Sequence, residues 1–169
     1  MDSEGWEKTN MKKFPFFVDI SGWKIVVIGA GTIGTRRIRS LLPFGCEITV
    51  VAPAAEKEVE SWAGEGKICW IARKYREEDV EGARLVLAAT REKAVNDRIE
   101  EAARKRGILF NRCDEKDACD FHFPGLIIQG DLVVGVNSGG RNHRQAAKVS
   151  SEIREVLKRM ENVETERME

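Results

Sequence analysis

With 169 residues, 42% of them hydrophobic, the chain can bury one substantial core and attach a small second unit. Lys plus Arg and Asp plus Glu both number 28, so no net charge is available to hold nucleic acid or an anionic membrane, and any preference for an anion must come from local clustering. No stretch approaches the roughly 20 apolar residues of a membrane span, and MDSEGWEKTNMKKF at the start has no apolar signal region, so a soluble cytoplasmic protein is expected.

Residues 1–13 are polar and read as a loose leader. Residues 14–18 (FPFFV) form an apolar run broken by Pro15, suited to an edge segment beside the first strand. Residues 24–28 (KIVVI) are β-branched and almost continuously apolar, the pattern of a parallel strand buried on both faces. A glycine turn at 29–34 follows, then a helix over 35–44 ended by Pro43 and Gly45. The strand signal returns at 47–52 (EITVVA), and 53–66 carries a helical stretch with Val59 and Trp62 on one face. Residues 67–72 and 84–89 are the third and fourth strands, with charged 74–82 between them as a loop or a single helical turn. Residues 92–106 are helical by the spacing of Ala94, Val95, Ile99, Ala102 and Ala103, and after Gly107 a fifth strand begins at 108–110. This alternation predicts an α/β, Rossmann-type doubly wound parallel sheet.

After Asn111 the texture changes. Residues 114–120 (DEKDACD) are a polar connector, and 121–123, 126–128 and 131–137 read as short strands with a hairpin turn at Gln129-Gly130-Asp131. A helix runs from about Asn142 to Met160, before an acidic end expected to fray. The expected division is therefore a leader at 1–13, a dinucleotide-binding domain at 14–113, and a small β-rich dimerisation and substrate unit with a C-terminal helix at 114–169. Too small to bury much alone, that unit calls for a partner, most simply a second copy.

The sharpest local signal is Gly29-Ala30-Gly31-Thr32-Ile33-Gly34 between a strand and a helix. The first glycine permits a sharp turn, the second lets backbone approach a pyrophosphate, and the third lets the helix sit close to the strand, with its N-terminus facing the phosphates. The acidic residue expected about 20 positions on, for the adenosine ribose, is missing. Ala52-Pro53-Ala54-Ala55 stands there; the nearest acids are Glu47, at the wrong end of the strand, and Glu56, beyond the turn. No arginine stands in that turn to meet a 2′-phosphate, which favours NAD over NADP. Arg36, Arg37 and Arg39 lie just inside the helix, where positive charge opposes the macrodipole unless an anion binds; otherwise they are solvated surface charge. Asp114 follows the fifth strand, at the carboxyl end of the sheet where ligands of such folds sit. Cys46, Cys69, Cys113 and Cys119 have no framework spacing and are expected as reduced thiols, Cys46 and Cys69 in the core. Cys119 and His122 share a C-x-x-H spacing, but two ligands do not close a site, and no metal site is expected.

The order of segments resembles the precorrin-2 dehydrogenase and sirohydrochlorin ferrochelatase family. It runs from residues 16–21 and 22–29 (GWKIVVIG) through Arg36-Arg37, Val50-Val51-Ala52-Pro53, Ala88-Ala89-Thr90, Val95-Asn96 and Asn111-Arg112-Cys113-Asp114 to Ser138-Gly139-Gly140. That resemblance, covering about residues 14–158, also accounts for the absent ribose acid after valine-alanine-proline. It implies that NAD⁺ takes a hydride from precorrin-2 to give sirohydrochlorin, with Asp114 as the catalytic carboxylate accepting a proton. The implied cofactor contacts are Gly29, Gly31, Thr32, Ile33 and Gly34 in the loop, Ala52, Pro53 and Ala54 after the second strand, and Thr90 and Asn111 after the fourth and fifth. Arg36, Arg37, Arg112, Arg141 and also Arg144 are implied contacts for the macrocycle's carboxylates, and Ser138 matches the family serine lining the substrate cleft. The small size of the C-terminal unit makes a homodimer the expected assembly.

One departure is local. Where the family usually continues serine-glycine-glycine-x-serine-proline, this chain has Ser138-Gly139-Gly140-Arg141-Asn142-His143-Arg144, and a single helix follows; this bears on substrate contacts and metal chelation more than on cofactor binding. Two other function classes stand beside the dehydrogenase. A non-catalytic NAD-sensing domain would not need Asp114 and usually has an acid after the second strand, and a chelatase without redox chemistry would insert metal without NAD⁺.

Overall fold

The computed structural model describes residues 14–140 and 142–168, so the leader 1–13 and Arg141 lie outside the described residues. The chain divides into two compact units, Asp19–Phe123 and the C-terminal part from Pro124, with 14–18 grouped with the latter.

In the first unit β1 (Lys24–Ala30), β2 (Glu47–Ala55), β3 (Cys69–Ile71), β4 (Leu85–Ala88) and β5 (Leu109–Arg112) form one parallel sheet in the order β3-β2-β1-β4-β5. Its helices are α1 (Thr32–Leu41), α2 (Lys57–Gly64) and α3 (Lys93–Lys105). Successive strand side chains point to opposite faces. Ile25 and Val27 therefore join Ile38, Leu41, Val50 and Val59 in one core layer, while Val26 and Ile28 join Val86, Ile99 and Phe110 in the other. Both faces of β1 are thus buried, which is why its sequence is apolar without alternation. The chain winds outward from β1 through β2 to β3, then crosses back to β4 and β5. The resulting switch point lies at the carboxyl ends of β1 and β4, where such sheets bind ligands.

The glycine turn sets that point. An ideal Cβ on Gly34 would lie 2.1 Å from the Gly29 carbonyl oxygen, and one on Gly29, at φ 101°, would lie 2.4 Å from that of Ala89. With no side chain at either place, α1 begins at Thr32, earlier than the expected Thr35, and presses on the ends of β1 and β4. β2 also outlasts its expected end at Ala52. Its pairing with β1 passes from Ile28↔Val51 to Ala30↔Ala55, so the Ala52-Pro53-Ala54 segment bulges before the chain returns to the glycine turn. The helix expected from residue 53 accordingly starts only at Lys57.

The expected boundary at Asp114 differs from the observed one because 114–123 is tied back to β5. Phe110 N–H donates to Asp120 Oδ2 at 2.9 Å, Asp120 N–H to the Phe110 carbonyl at 3.0 Å, and Asn111 Nδ2 to the Phe121 carbonyl at 2.8 Å. The strand expected over 121–123 does not form: Phe121 and Phe123 pack against the core without a ladder partner. Residues 14–18 likewise form no strand.

In the second unit β6 (Gly125–Gln129) and β7 (Leu132–Val136) make an antiparallel hairpin through the expected turn, with Gly130 at φ 54°. Helix α4 (His143–Met168) continues past the expected end near Met160. Asn142 caps it: its side-chain oxygen accepts the Gln145 N–H at 2.9 Å. Asparagine caps a helix as well as serine does, so the replaced serine-proline leaves the helix start chemically equivalent. Among the described residues no helix is long and apolar enough to cross a membrane.

Gly34→Ala should cost about 2–3 kcal/mol through overpacking against Gly29. Gly31→Ala, whose added Cβ meets nothing within 4 Å, should change stability by no more than about 0.5 kcal/mol. Chemical denaturation of the two variants checks this, and equal losses would contradict the packing described.

Candidate functional site

A cleft of about 790 Å³ opens at the switch point, within the range of small-molecule sites. Gly29 and Gly31 to Ile33 form its floor, Ala52 to Ala54 one wall, and Ala89 to Glu92 with Val95 and Cys113 the other. Lys74, Tyr75 and Arg98 complete it. Of the expected cofactor contacts, Gly29, Gly31, Thr32, Ile33, Ala52, Pro53, Ala54 and Thr90 all line this space. Gly34 lies behind it as the packing glycine, and Asn111 lies off it, with its amide donating to the Phe121 carbonyl.

The floor suits an anion. The first N–H groups of a helix have no intrahelical partners, and α1 has neither a side-chain cap nor an acid in its first turn. The direction a Cβ would take at Gly31 is empty. A phosphate approaching there meets free donors and the positive end of the helix dipole. Tyr75 lines the wall, and its hydroxyl is buried without a hydrogen-bond partner among the described residues.

At the β4–β5 end a polar network joins three elements. Thr90 Oγ1 donates to Asn96 Oδ1 at 2.8 Å, and the fully buried Asn96 returns a bond from Nδ2 to the Thr90 carbonyl at 3.3 Å. Arg112 grips the carboxylate of Asp114 with both arms of its guanidinium, Nε to Oδ1 at 2.7 Å and Nη2 to Oδ2 at 2.9 Å. Its Nη1 donates to Asp97 and to Glu100, each at 2.8 Å. The Arg112 side chain is 2% exposed and pairs with four acids, bonded to Asp97, Glu100 and Asp114 and 3.8 Å from Glu115, so it does not offer the free guanidinium that contact with a tetrapyrrole carboxylate requires. Arg112 holds Asp114 well below the usual carboxylate range, against partial burial and with Asn96 assisting. Asp97 is held low by Lys93 and Arg112. For Glu100 burial pushes upward and is more than offset by Arg104 and Arg112.

Asp114 itself does not line the cleft; its neighbour Cys113 does, with Sγ 3.7 Å from the Thr90 carbonyl. Burial and the Asp114 charge push the Cys113 thiol up, which keeps it a thiol. Arg36 is exposed, whereas Arg37 is half-buried with its guanidinium 4.1 Å from the centroid of the Phe123 ring. Burial and then Arg36 bring Arg37 down to about 10, and it stays cationic at neutral pH. Ser138 lies in the other unit, where its hydroxyl accepts the Asn142 N–H at 3.4 Å. Of the C-x-x-H pair, Cys119 is engaged with the backbone of Arg112 at 3.3 and 3.4 Å. Cys46 is half-buried against the first core layer, and Cys69 is exposed on β3 rather than in the core. Lys74, Tyr75, Arg98 and Asn96 were not singled out as contacts by sequence. Lys74 and Tyr75 could have been found from their place just beyond the carboxyl end of β3.

Sheet order, glycine turn and open helix terminus together define a Rossmann-type domain that binds a nicotinamide dinucleotide. Residues 16–125 match the family described as "Putative NAD(P)-binding". The "Probable multifunctional siroheme biosynthesis protein HemA" of Ruminiclostridium josui is 35% identical over 146 residues, 85% of this chain and 28% of that protein. A siroheme synthase of Methylococcus capsulatus is 34% identical over 143 residues, 85% of this chain and 30% of that protein. The chain thus spans less than a third of the length of these relatives. A solved structure described as "SirC, precorrin-2 dehydrogenase" superposes with a TM-score of 0.73 at 27% identity, covering 83% of this chain and 69% of that one. The chain belongs to this NAD(P)-binding family, in the branch that contains precorrin-2 dehydrogenase.

Replacing Arg112 by Met should cost about 3–5 kcal/mol at neutral pH, because a buried cation is lost from among carboxylates. These carboxyls titrate below their unfolded values near 4, so their contribution is complete above about pH 5 and is lost as the pH falls through the folded values. The gap between wild type and variant should therefore narrow on acidification towards about pH 3. Denaturation measured across that range checks it, and a gap independent of pH would contradict the network.

Proposed function

We propose that the protein is an NAD-dependent dehydrogenase that converts precorrin-2 to sirohydrochlorin on the way to siroheme. The observation that supports this most is the course of the cleft, from the bulge after β2, over the open terminus of α1, to Cys113, the residue next to Asp114. In folds of this order the adenosine half lies on the β2 side and the reacting half on the other. The N–H groups of Thr32 and Ile33 would hold the pyrophosphate, with Ala52 to Ala54 beside the adenosine and Thr90 towards the nicotinamide. Bound there, NAD⁺ supplies the hydride acceptor.

Loss of a hydride leaves the macrocycle cationic, and a proton must then depart. Asp114 is an anion at every physiological pH because Arg112 holds it so. It therefore acts first as a fixed negative charge and hydrogen-bond acceptor behind Cys113 at the reacting end of the cleft, and it passes the departing proton on without retaining it. Arg36 and Arg37 offer cations to the substrate's carboxylates, with Arg37 oriented by Phe123. Arg112 acts through Asp114. Ser138 and Arg141 are further proposed substrate contacts. The cofactor is NAD because no arginine stands in the turn after β2. In the second unit, proposed for dimerisation, Ile128, Leu132, Val149, Val156 and Met160 are exposed, apolar area that a second copy would cover.

Mixing protein, precorrin-2 and NAD⁺ should raise NADH absorbance; no rise with folded protein that binds NAD⁺ would overturn the proposed reaction. Asp114→Asn should bind NAD⁺ with unchanged affinity and lower kcat by about 10²–10⁴. Undiminished turnover would remove Asp114 from the chemistry.

A further inference from the structure

We propose that Glu56 is the specificity residue of the cleft: its carboxylate takes the place of the missing ribose acid, accepting from the adenosine 2′-hydroxyl and opposing a 2′-phosphate. The inference rests on the dinucleotide reading of the cleft and deepens it. In a Rossmann domain that acid stands at the end of β2, beside the glycine loop. Here the end of β2 is not Ala52. The bulge carries Ala52-Pro53-Ala54 outward, and pairing resumes at Ala30↔Ala55. The next residue, Glu56, donates its N–H to the Ala30 carbonyl at 3.0 Å, inside the glycine motif. Its Oε1 lies 3.4 Å from the hydroxyl of Thr32, on the cleft floor. The strand therefore delivers a carboxylate to the glycine loop, at the edge of the cleft beside Thr32, from a later place in the sequence.

The charges nearby agree. Among the described residues no cation lies within ion-pair distance of Glu56, whereas Glu58 on α2 is paired with Arg39. Glu56 is exposed, so its charge remains available to a ligand. The cations that line the cleft, Lys74, Arg91 and Arg98, come from the segment after β3, the turn after β4 and helix α3, not from the turn that bears Glu56. A 2′-phosphate beside the glycine loop would face a like charge without a counter-ion, an arrangement that penalises the wrong ligand.

Fluorescence titration of the full chain with NADH and NADPH tests this. Wild type should bind NADH at least about tenfold tighter than NADPH, and Glu56→Gln should bring the two affinities within about threefold, chiefly by strengthening NADPH. Glu60→Gln, an exposed change on the helix that follows Glu56, should leave the wild-type ratio intact, and thermal melting should show all three proteins equally folded. Equal wild-type affinities, or a preference that survives Glu56→Gln, would overturn the role of Glu56 while leaving the cleft reading standing. If wild type bound neither nucleotide, the cleft reading would itself fail and this inference with it.

Discussion

The architecture depends on one close approach. The backbone of Gly34 in α1 sits on the carbonyl of Gly29, and Gly29 sits on that of Ala89, at separations that admit no Cβ. This contact brings the start of α1 down to the sheet at the point where the strand order reverses. It leaves the first-turn N–H groups facing an open space, and it sets Ala89 and Thr90 as the opposite wall. A side chain at either glycine would clash with backbone and force the helix away from the strand ends.

Charge is arranged differently on the two sides of this cleft. On the β5 side Arg112 is surrounded by Asp97, Glu100 and Asp114, a buried cation whose donors serve to fix acids rather than to meet a ligand. Keeping Asp114 ionised makes it a weak base and a steady anion, which suits stabilisation of positive charge better than storage of a proton. On the β2 side a single exposed carboxylate meets the glycine loop. Neither arrangement follows from net charge, which is zero; both come from where short connections deliver particular side chains.

Much of this was legible in the chain itself. A strand covered on both faces must be apolar without a break, so residues 24–28 announced β1, and a glycine motif directly after it announced the switch point. Other features depend on pairing that no local pattern carries. The Ala-Pro-Ala-Ala stretch reads equally as a helix start or as a strand extension, and only its register against Ala30 decides for the strand. Phe121 and Phe123 alternate like strand residues because both rings reach the core, yet no neighbour offers them a ladder. The resemblance implies Arg112 as a contact for substrate carboxylates; its engagement by acids from α3 appears only when β5 is laid beside that helix. Helix α4 runs on past Met160 because the Glu, Arg and Met residues of its acidic end are all good helix formers.

The most direct measurement is a crystal structure of the protein soaked with NAD⁺. The pyrophosphate should lie over the N–H groups of Thr32 and Ile33, with the adenosine ribose towards Glu56 and the nicotinamide ring reaching Cys113 beside Asp114. A dinucleotide bound elsewhere, bound in the reverse direction, or absent at saturating concentration would contradict this account.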